Sequence, residues 1–172
     1  MIFVLHGFKG SGKDEFFKVL EKNDSRYKKL AFADPIKEKV KKIYNLISDE
    51  EYDIFKRSEY CLLRNVDGRQ MVREIGMLMR SYDDGKQFID YVDRNLSEYT
   101  CVTDLRFQTE LEFFKNLKST RDVKLIKIIR YSSDDEHITE QEIHDSEFEY
   151  IIENTGTLED FHTNINEFIN RL

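Results

Sequence analysis

The stretch VLHGFKGSGKDEF, Val4 to Phe16, decides the fold. Gly7, Gly12 and Lys13 stand at the Gly-x-x-x-x-Gly-Lys spacing, and the residues on either side give that spacing its context. MIFVLHG is a short apolar, β-branched and aromatic run ended by glycine, which predicts a buried strand. KDEFFKVLEKN places Phe16, Phe17 and Leu20 on one helical face, with Asn23 closing the helix. A glycine loop between a strand and a helix lets backbone N–H groups close on phosphate oxygens, and the helix N-terminus adds positive potential. Gly7, Lys9, Gly10, Ser11, Gly12 and Lys13 are therefore the candidate donor-phosphate residues, with Lys13 neutralising the outer phosphates. A serine or threonine usually follows that lysine and reaches Mg²⁺; here Asp14 and Glu15 follow it. Two readings of Asp14 stand open. It holds Mg²⁺, directly or through water, or it only complements the helix N-terminus, worth about 0.3–1 kcal/mol.

Outward from the loop, strands and helices alternate. YKKLAFA (27–33) is a short strand, and Asp34-Pro35 reads as an N-cap followed by proline at the first helical position. The helix IKEKVKKIYNLI follows, with Ile36, Val40, Ile43 and Leu46 or Ile47 on its apolar face. Residues 48–67 are charged and weakly periodic, an excursion from the core. RQMVREIGMLMRSY is a helix with Met71, Ile75, Leu78 and Met79 as its buried face. KQFIDYVDRNL is another, gathering Phe88, Tyr91, Val92 and Leu96. YTCVTDL (99–105) is a strand and TELEFFKNL its helix; VKLIKIIRY (123–131) and YII (150–152) are later strands. The last helix, TLEDFHTNINEFINRL, buries Leu158, Phe161, Ile165, Phe168 and Ile169. This alternation predicts a three-layer α/β domain with a mostly parallel sheet of about five strands.

The bulk composition narrows the function. The 172 residues are 40% hydrophobic and 35% charged, with one proline, which suits one compact domain with a real core. A net charge of −7 argues against binding a nucleic acid polymer or an anionic membrane, and leaves room for a local basic pocket. Cys61 and Cys101 match no metal-ligand spacing, and Cys101 lies in an apolar run as a buried reduced thiol. No leader peptide precedes the glycine loop and no apolar run is long enough to cross a membrane, so a cytoplasmic protein is expected.

Further candidates lie downstream. Asp104 sits at a strand end, where a carboxylate positions Mg²⁺ or its water shell, and Arg106 carries a fork suited to a phosphate. The competing reading is a surface pair capping the next helix. Arg69 and Arg73 share a helix face and suit the phosphate of an acceptor; Arg80 lies further along. Arg130 ends a strand and enters a polar segment, either as a cation over the transferred phosphoryl or as an ordinary strand-end charge. His137 reads as a surface histidine. The acids Asp134 to Glu136, Glu140 and Glu142 lack the order of a calcium loop and read as a solvated face.

GFKGSGKDEF resembles the SGKD form of the loop found in phage-type deoxynucleoside monophosphate kinases and in one family of phosphomevalonate kinases. Further stretches resemble the first family in order: LAFADPIKEKV, DGRQMVREIGMLMR, VTDLRFQTELEFF, IIRYSSDDEHITEQEI and YIIENTGTLEDF. The resemblance spans nearly the whole chain and is weakest over 48–67. It implies a nucleoside monophosphate kinase-like fold, residues 1–172 forming one P-loop kinase domain with an acceptor-binding helical insertion at about 34–98 and a short lid at about 130–148. It implies transfer of the γ-phosphoryl of ATP, with Mg²⁺, to a deoxynucleoside monophosphate, in the host cytoplasm if the protein is phage-encoded, and it admits a homodimer. On this resemblance Lys13, Arg106 and Arg130 serve the transfer, Asp14 or Asp104 the metal. Asp34, Arg69, Arg73, Asp104 and Arg106 border the acceptor. Two departures stand out: Glu15 where the family commonly has threonine, and a short region before Gly68. A phosphomevalonate or dephospho-coenzyme A kinase, or a slow nucleotide-binding switch, are the other readings.

Overall fold

The computed structural model describes residues 1–58, 67–130 and 143–172. The chain divides into two compact units, one of residues 1–31 and 95–172, the other of residues 32–94. In the first unit five strands form one sheet: β1 Ile2–His6, β2 Lys28–Leu30, β3 Thr100–Leu105, β4 Val123–Ile129 and β5 Tyr150–Glu153. Their order is β2-β3-β1-β4-β5 and each adjacent pair is parallel. The expected parallel sheet of about five strands is the one observed, and β1, the strand before the glycine loop, lies at its centre.

Residues of β1 alternate between two buried faces, which only a doubly covered sheet requires. Phe3 and Leu5 join Phe16, Val19 and Leu20 of α1 (Lys13–Asn23) and Phe161 and Ile165 of α7 (Leu158–Asn170) in one core cluster. Right-handed crossovers put α1 and α6 (Gln108–Leu117) on opposite faces, because the chain leaves β1 toward one edge and β3 toward the other. Leu111 and Phe114 are the buried residues of α6, and Leu105 and Val102 are buried on β3. Cys101 is fully buried, and burial pushes its thiol pKa up. That is the inert thiol expected; Cys61 lies outside the described residues.

The second unit is helical: α2 Asp34–Tyr44, α3 Asp49–Arg57, α4 Gly68–Asp83 and α5 Lys86–Asn95, the last ending just past its boundary. Its buried side chains include Val40, Tyr52, Met71, Phe88 and Val92, and the Tyr44 and Phe55 rings lie 4.4 Å apart.

Four local expectations need correction. Asp34 is not the N-cap of α2: Ala33 is, and its carbonyl accepts from the N–H groups of Ile36 and Lys37. Asp34 is the first helical residue, an acid in the positive first turn. The excursion at 48–67 contains α3, opened by a capping box in which Ser48 and Glu51 exchange bonds. Ile43 is 50% exposed, Leu78 71% and Leu158 59%, so none of the three joins the buried face of its helix. The strand expected at 27–33 keeps only three residues, because the chain turns at Phe32 and Ala33 into α2. Among the described residues no helix is long and apolar enough to cross a membrane.

Candidate functional site

All five strands run the same way, so the residues that follow β1, β3, β4 and β5 share one rim of the sheet. Gly7, Arg106, Arg130 and Asn154 are those residues. Gly7 leaves β1 at φ 150°, and a Cβ there would strike the Ile128 carbonyl and the Ser11 side chain. Gly12 is the N-cap of α1 at φ 113°; a Cβ there would sit 2.6 Å from Phe161 and 2.8 Å from the Asn154 amide nitrogen. Only glycine fits these positions. Between them Ser11 N–H donates to the Phe8 carbonyl at 3.1 Å, curling the loop, while Lys9 and Gly10 stay exposed. Such a glycine cradle at a helix N-terminus suits a polyphosphate. The Lys13 ammonium lies over the loop and donates to the Gly7 carbonyl and, at 2.8 Å, to the Phe8 carbonyl.

His6 reports the charges around this rim. It is buried, its Nδ1 lies 2.9 Å from the Leu105 carbonyl, and its ring stacks on Phe148 at 5.0 Å. Burial lowers its pKa most; the bond to Leu105 works the other way, and the positive charges of Lys127, Lys13 and Arg106 lower it further. His6 is thus held neutral among three cations from β4, α1 and the β3 exit. Lys127 is 5% exposed and pairs with Asp145, which lies in the short turn Asp145–Glu147 before β5.

Asp104 and Arg106 leave β3 through an irregularity. Val4 pairs with Val102, but His6 pairs with Leu105, so β3 carries one extra residue where Asp104 lies. A bulge of this kind re-aims the side chains beside it. Asp104 is half-buried and Arg106 is exposed. Glu110, 1% exposed, accepts from the N–H groups of Arg106 at 2.9 Å and Phe107 at 3.2 Å, so a buried carboxylate fixes the turn that presents Arg106. Arg130 is exposed just past β4.

The two acids after Lys13 have separate partners. Asp14 pairs with Lys29 of β2 at 2.5 Å. Burial alone would raise its pKa, but the bond to Lys29 and the charges of Lys29, Lys13 and Lys18 together lower it. Glu15 accepts from Lys18 and from His162 Nε2 of α7, each at 2.8 Å, and Lys18 then His162 are the main causes lowering its pKa. Glu15 is therefore tied to α7. Among the described residues no group of three or more His, Cys, Asp or Glu forms a metal site; Mg²⁺ bound by one or two carboxylates and substrate phosphates needs none.

In the second unit Arg69 and Arg73 are both exposed on α4, one turn apart. The Arg80 guanidinium lies over the Phe88 ring at 4.8 Å, packing rather than a phosphate clamp. Asp34 is half-buried and, with Glu38, raises the pKa of Tyr91 after burial of the ring itself. His137, the acids at 134–136, Glu140 and Glu142 lie outside the described residues, as does most of the lid expected at about 130–148. Sequence reading missed Lys29, Glu110, Lys127, Asn154 and His162. Only Glu110 had a local signal, an acid three residues after a helix start.

A parallel sheet with the glycine loop on its central strand, Lys13 heading α1 and cations at the neighbouring strand ends is the layout of a P-loop kinase, an ATP-dependent phosphotransferase. Sequence comparison with known proteins agrees with that class. The family model described as deoxynucleotide monophosphate kinase matches residues 84–165. A protein named "Putative deoxynucleotide monophosphate kinase" from Acanthamoeba polyphaga mimivirus is 28% identical over 186 residues, covering 96% of this chain and 94% of that one. Among solved structures, dephospho-CoA kinase from Campylobacter jejuni aligns over 99% of this chain and 96% of its own, at 15% identity and TM-score 0.50. TT1252 from Thermus thermophilus aligns over 100% and 97%, at 16% identity and TM-score 0.49. The chain thus resembles the deoxynucleotide monophosphate kinases, as its ordered motifs implied.

Proposed function

We propose that the protein transfers the γ-phosphoryl of ATP to a deoxynucleoside 5′-monophosphate, giving the diphosphate and ADP. The observation that carries this reading is the family match over residues 84–165, which takes in Asp104, Arg106 and Arg130. The cations gathered around His6 support it, because phosphoryl transfer depends on positioning and charge neutralisation more than on base catalysis.

In the proposed reaction an oxygen of the acceptor phosphate attacks the γ-phosphorus while the bond to the β–γ bridging oxygen breaks, and ADP departs with that electron pair. The N–H groups of the Gly7–Lys13 loop hold the donor phosphates. Lys13 exchanges its carbonyl partners for phosphate oxygens, a stronger charge-assisted bond. Arg106 and Arg130 stabilise the charge spread over the phosphoryl in flight. Mg²⁺, when bound, neutralises the β- and γ-oxygens, and Asp14 or Asp104 is the residue that would hold it or its water shell. Arg69 and Arg73 are assigned the acceptor phosphate, and Asp34 its sugar or base.

An ADP-release assay across the four deoxynucleoside monophosphates, their ribonucleotide counterparts, dephospho-coenzyme A and phosphomevalonate tests the assignment. Turnover with at least one deoxynucleotide is expected, and Lys13→Ala should abolish it. ADP release with dephospho-coenzyme A or phosphomevalonate alone would move the activity to another P-loop kinase. Stabilisation by ATP with no response to any acceptor would indicate a nucleotide switch.

A further inference from the structure

The C-terminal joint between β5 and α7 meets the glycine loop at three successive points. The Asn154 amide donates to the Ser11 carbonyl at 2.9 Å. Phe161 and the Asn154 amide fill the space where a Cβ on Gly12 would lie. His162 meets Glu15 in the first turn of α1. The joint itself is rigidly built. Asn154 N–H donates to the Ile129 carbonyl at 2.7 Å, and Thr157 and Asp160 form a capping box that starts α7. Asn154 is 8% exposed, a buried amide three residues before an exposed helix cap.

We propose that Asn154 is a positioning residue for the phosphate loop. Across a trans peptide the C=O and the following N–H point in opposite directions, and the described chain has no cis peptide. Holding the Ser11 carbonyl toward Asn154 therefore fixes the Gly12 N–H on the opposite side. With no Cβ, Gly12 sets no steric bar of its own to rotation of that peptide when the bond is lost. Asn154 thus acts on the donor phosphates through the Ser11–Gly12 peptide without touching them. Glu15 and His162 give α7 a second hold one turn along, which keeps the start of α1 in register with the joint. The inference rests on reading Gly7–Lys13 as the loop for ATP phosphates.

The test uses the full chain and the variants Asn154→Ala, Asn154→Ser and Asn154→Asp. ATP affinity is read by displacement of a fluorescent ATP analogue, which needs no acceptor, alongside KM and kcat and the urea midpoint. Loss of one buried hydrogen bond should weaken ATP binding about tenfold in Asn154→Ala, with the acceptor KM within about twofold of wild type. In Asn154→Asp a carboxylate faces the Ser11 carbonyl at neutral pH and repels it. Protonation restores an O–H donor, so relative ATP affinity should recover as pH falls. Asn154→Ala and Asn154→Ser decide the matter if the aspartate variant does not fold. Variants with a lowered urea midpoint but wild-type ATP affinity and KM would overturn the proposal alone. A wild-type protein that binds no ATP would overturn the phosphotransfer reading together with it.

Discussion

Glu110 offers the sharpest test of how the site is held, because its carboxylate is buried and accepts from two backbone N–H groups. One oxygen accepts from Arg106 and Phe107, closing the turn from β3 into α6. Bonds to a charged acceptor contribute about 1.5–3 kcal/mol each, and two sharing one oxygen fall short of additive. Glu110→Ala should therefore cost about 3 kcal/mol, and Glu110→Gln, which keeps a carbonyl acceptor without the charge, about half of that. For a chain of this size the alanine variant should lose about 6–12 °C in melting temperature. With a urea slope near 2 kcal/mol/M, its midpoint should fall by about 1.5 M. The opposing effect is desolvation: a buried carboxylate whose burial outweighs its bonds becomes more stable when neutralised. Urea titration by far-UV dichroism separates the two cases. A glutamine variant equal to or more stable than wild type would refute the reasoning. Folded Glu110→Gln should also lose kcat/KM, since the turn presenting Arg106 loosens.

Three further outcomes follow from the same geometry. His6 has a lowered native pKa against an ordinary value of 6.5 in the unfolded chain, so the unfolded state binds the extra proton first. Its contribution is whole above about pH 6.5 and lost as pH falls through the native pKa; His6→Asn should flatten the urea midpoint between pH 7 and pH 5, and an unchanged slope would exclude His6 as the cause. Gly12→Ala places a methyl against Phe161 and Asn154 at a φ that costs about 1–3 kcal/mol, so ATP binding should disappear even where the protein remains folded, as calorimetry would show. Lys29→Met removes the cation now paired with Asp14. If Asp14 holds the metal, half-maximal activity should need several-fold less Mg²⁺, and Asp14→Asn should need more. Indifference of both variants to Mg²⁺ would leave Asp14 the lesser role of complementing the helix.

The parts of the fold visible in the sequence are those whose signals are local. VLHG, the glycine spacing and KDEFF each constrain their own neighbours, and they give β1, the loop and α1 nearly residue for residue. Ser48 and Glu51 were also a local signal, masked by charge over 48–67 that hid the short apolar face of α3. Leu78 shows the converse: its position on α4 is periodic, but periodicity names a face and does not supply the surface that would cover it. The bulge in β3 left no mark, because any residue fits the extra position, and it alters where Asp104 and Arg106 project.

Glu15 shows why the site was harder to read than the fold. In the loop motif it is an acid where a small hydroxyl is expected, and its neighbour Lys18 accounts for only one of its two bonds. Its partner His162 is 147 positions away, and the Asn154–Ser11 bond spans 143. Both pairings exist only after a parallel sheet brings β5 and α7 back beside the first loop. A polar residue that stabilises the start of the chain from its end has no periodicity, no spacing and no composition to betray it. The same holds for Lys127: in VKLIKII it interrupts a buried strand, which local rules count as a flaw, yet its charge pairs with Asp145 and bears on His6. A buried charge that breaks a strand pattern beside a phosphate loop is therefore better taken as part of the electrostatic frame than as an error of patterning. Lys127→Met would test that frame: removing one of the three cations near His6 should raise the pKa of the histidine, which NMR titration of its ring would register.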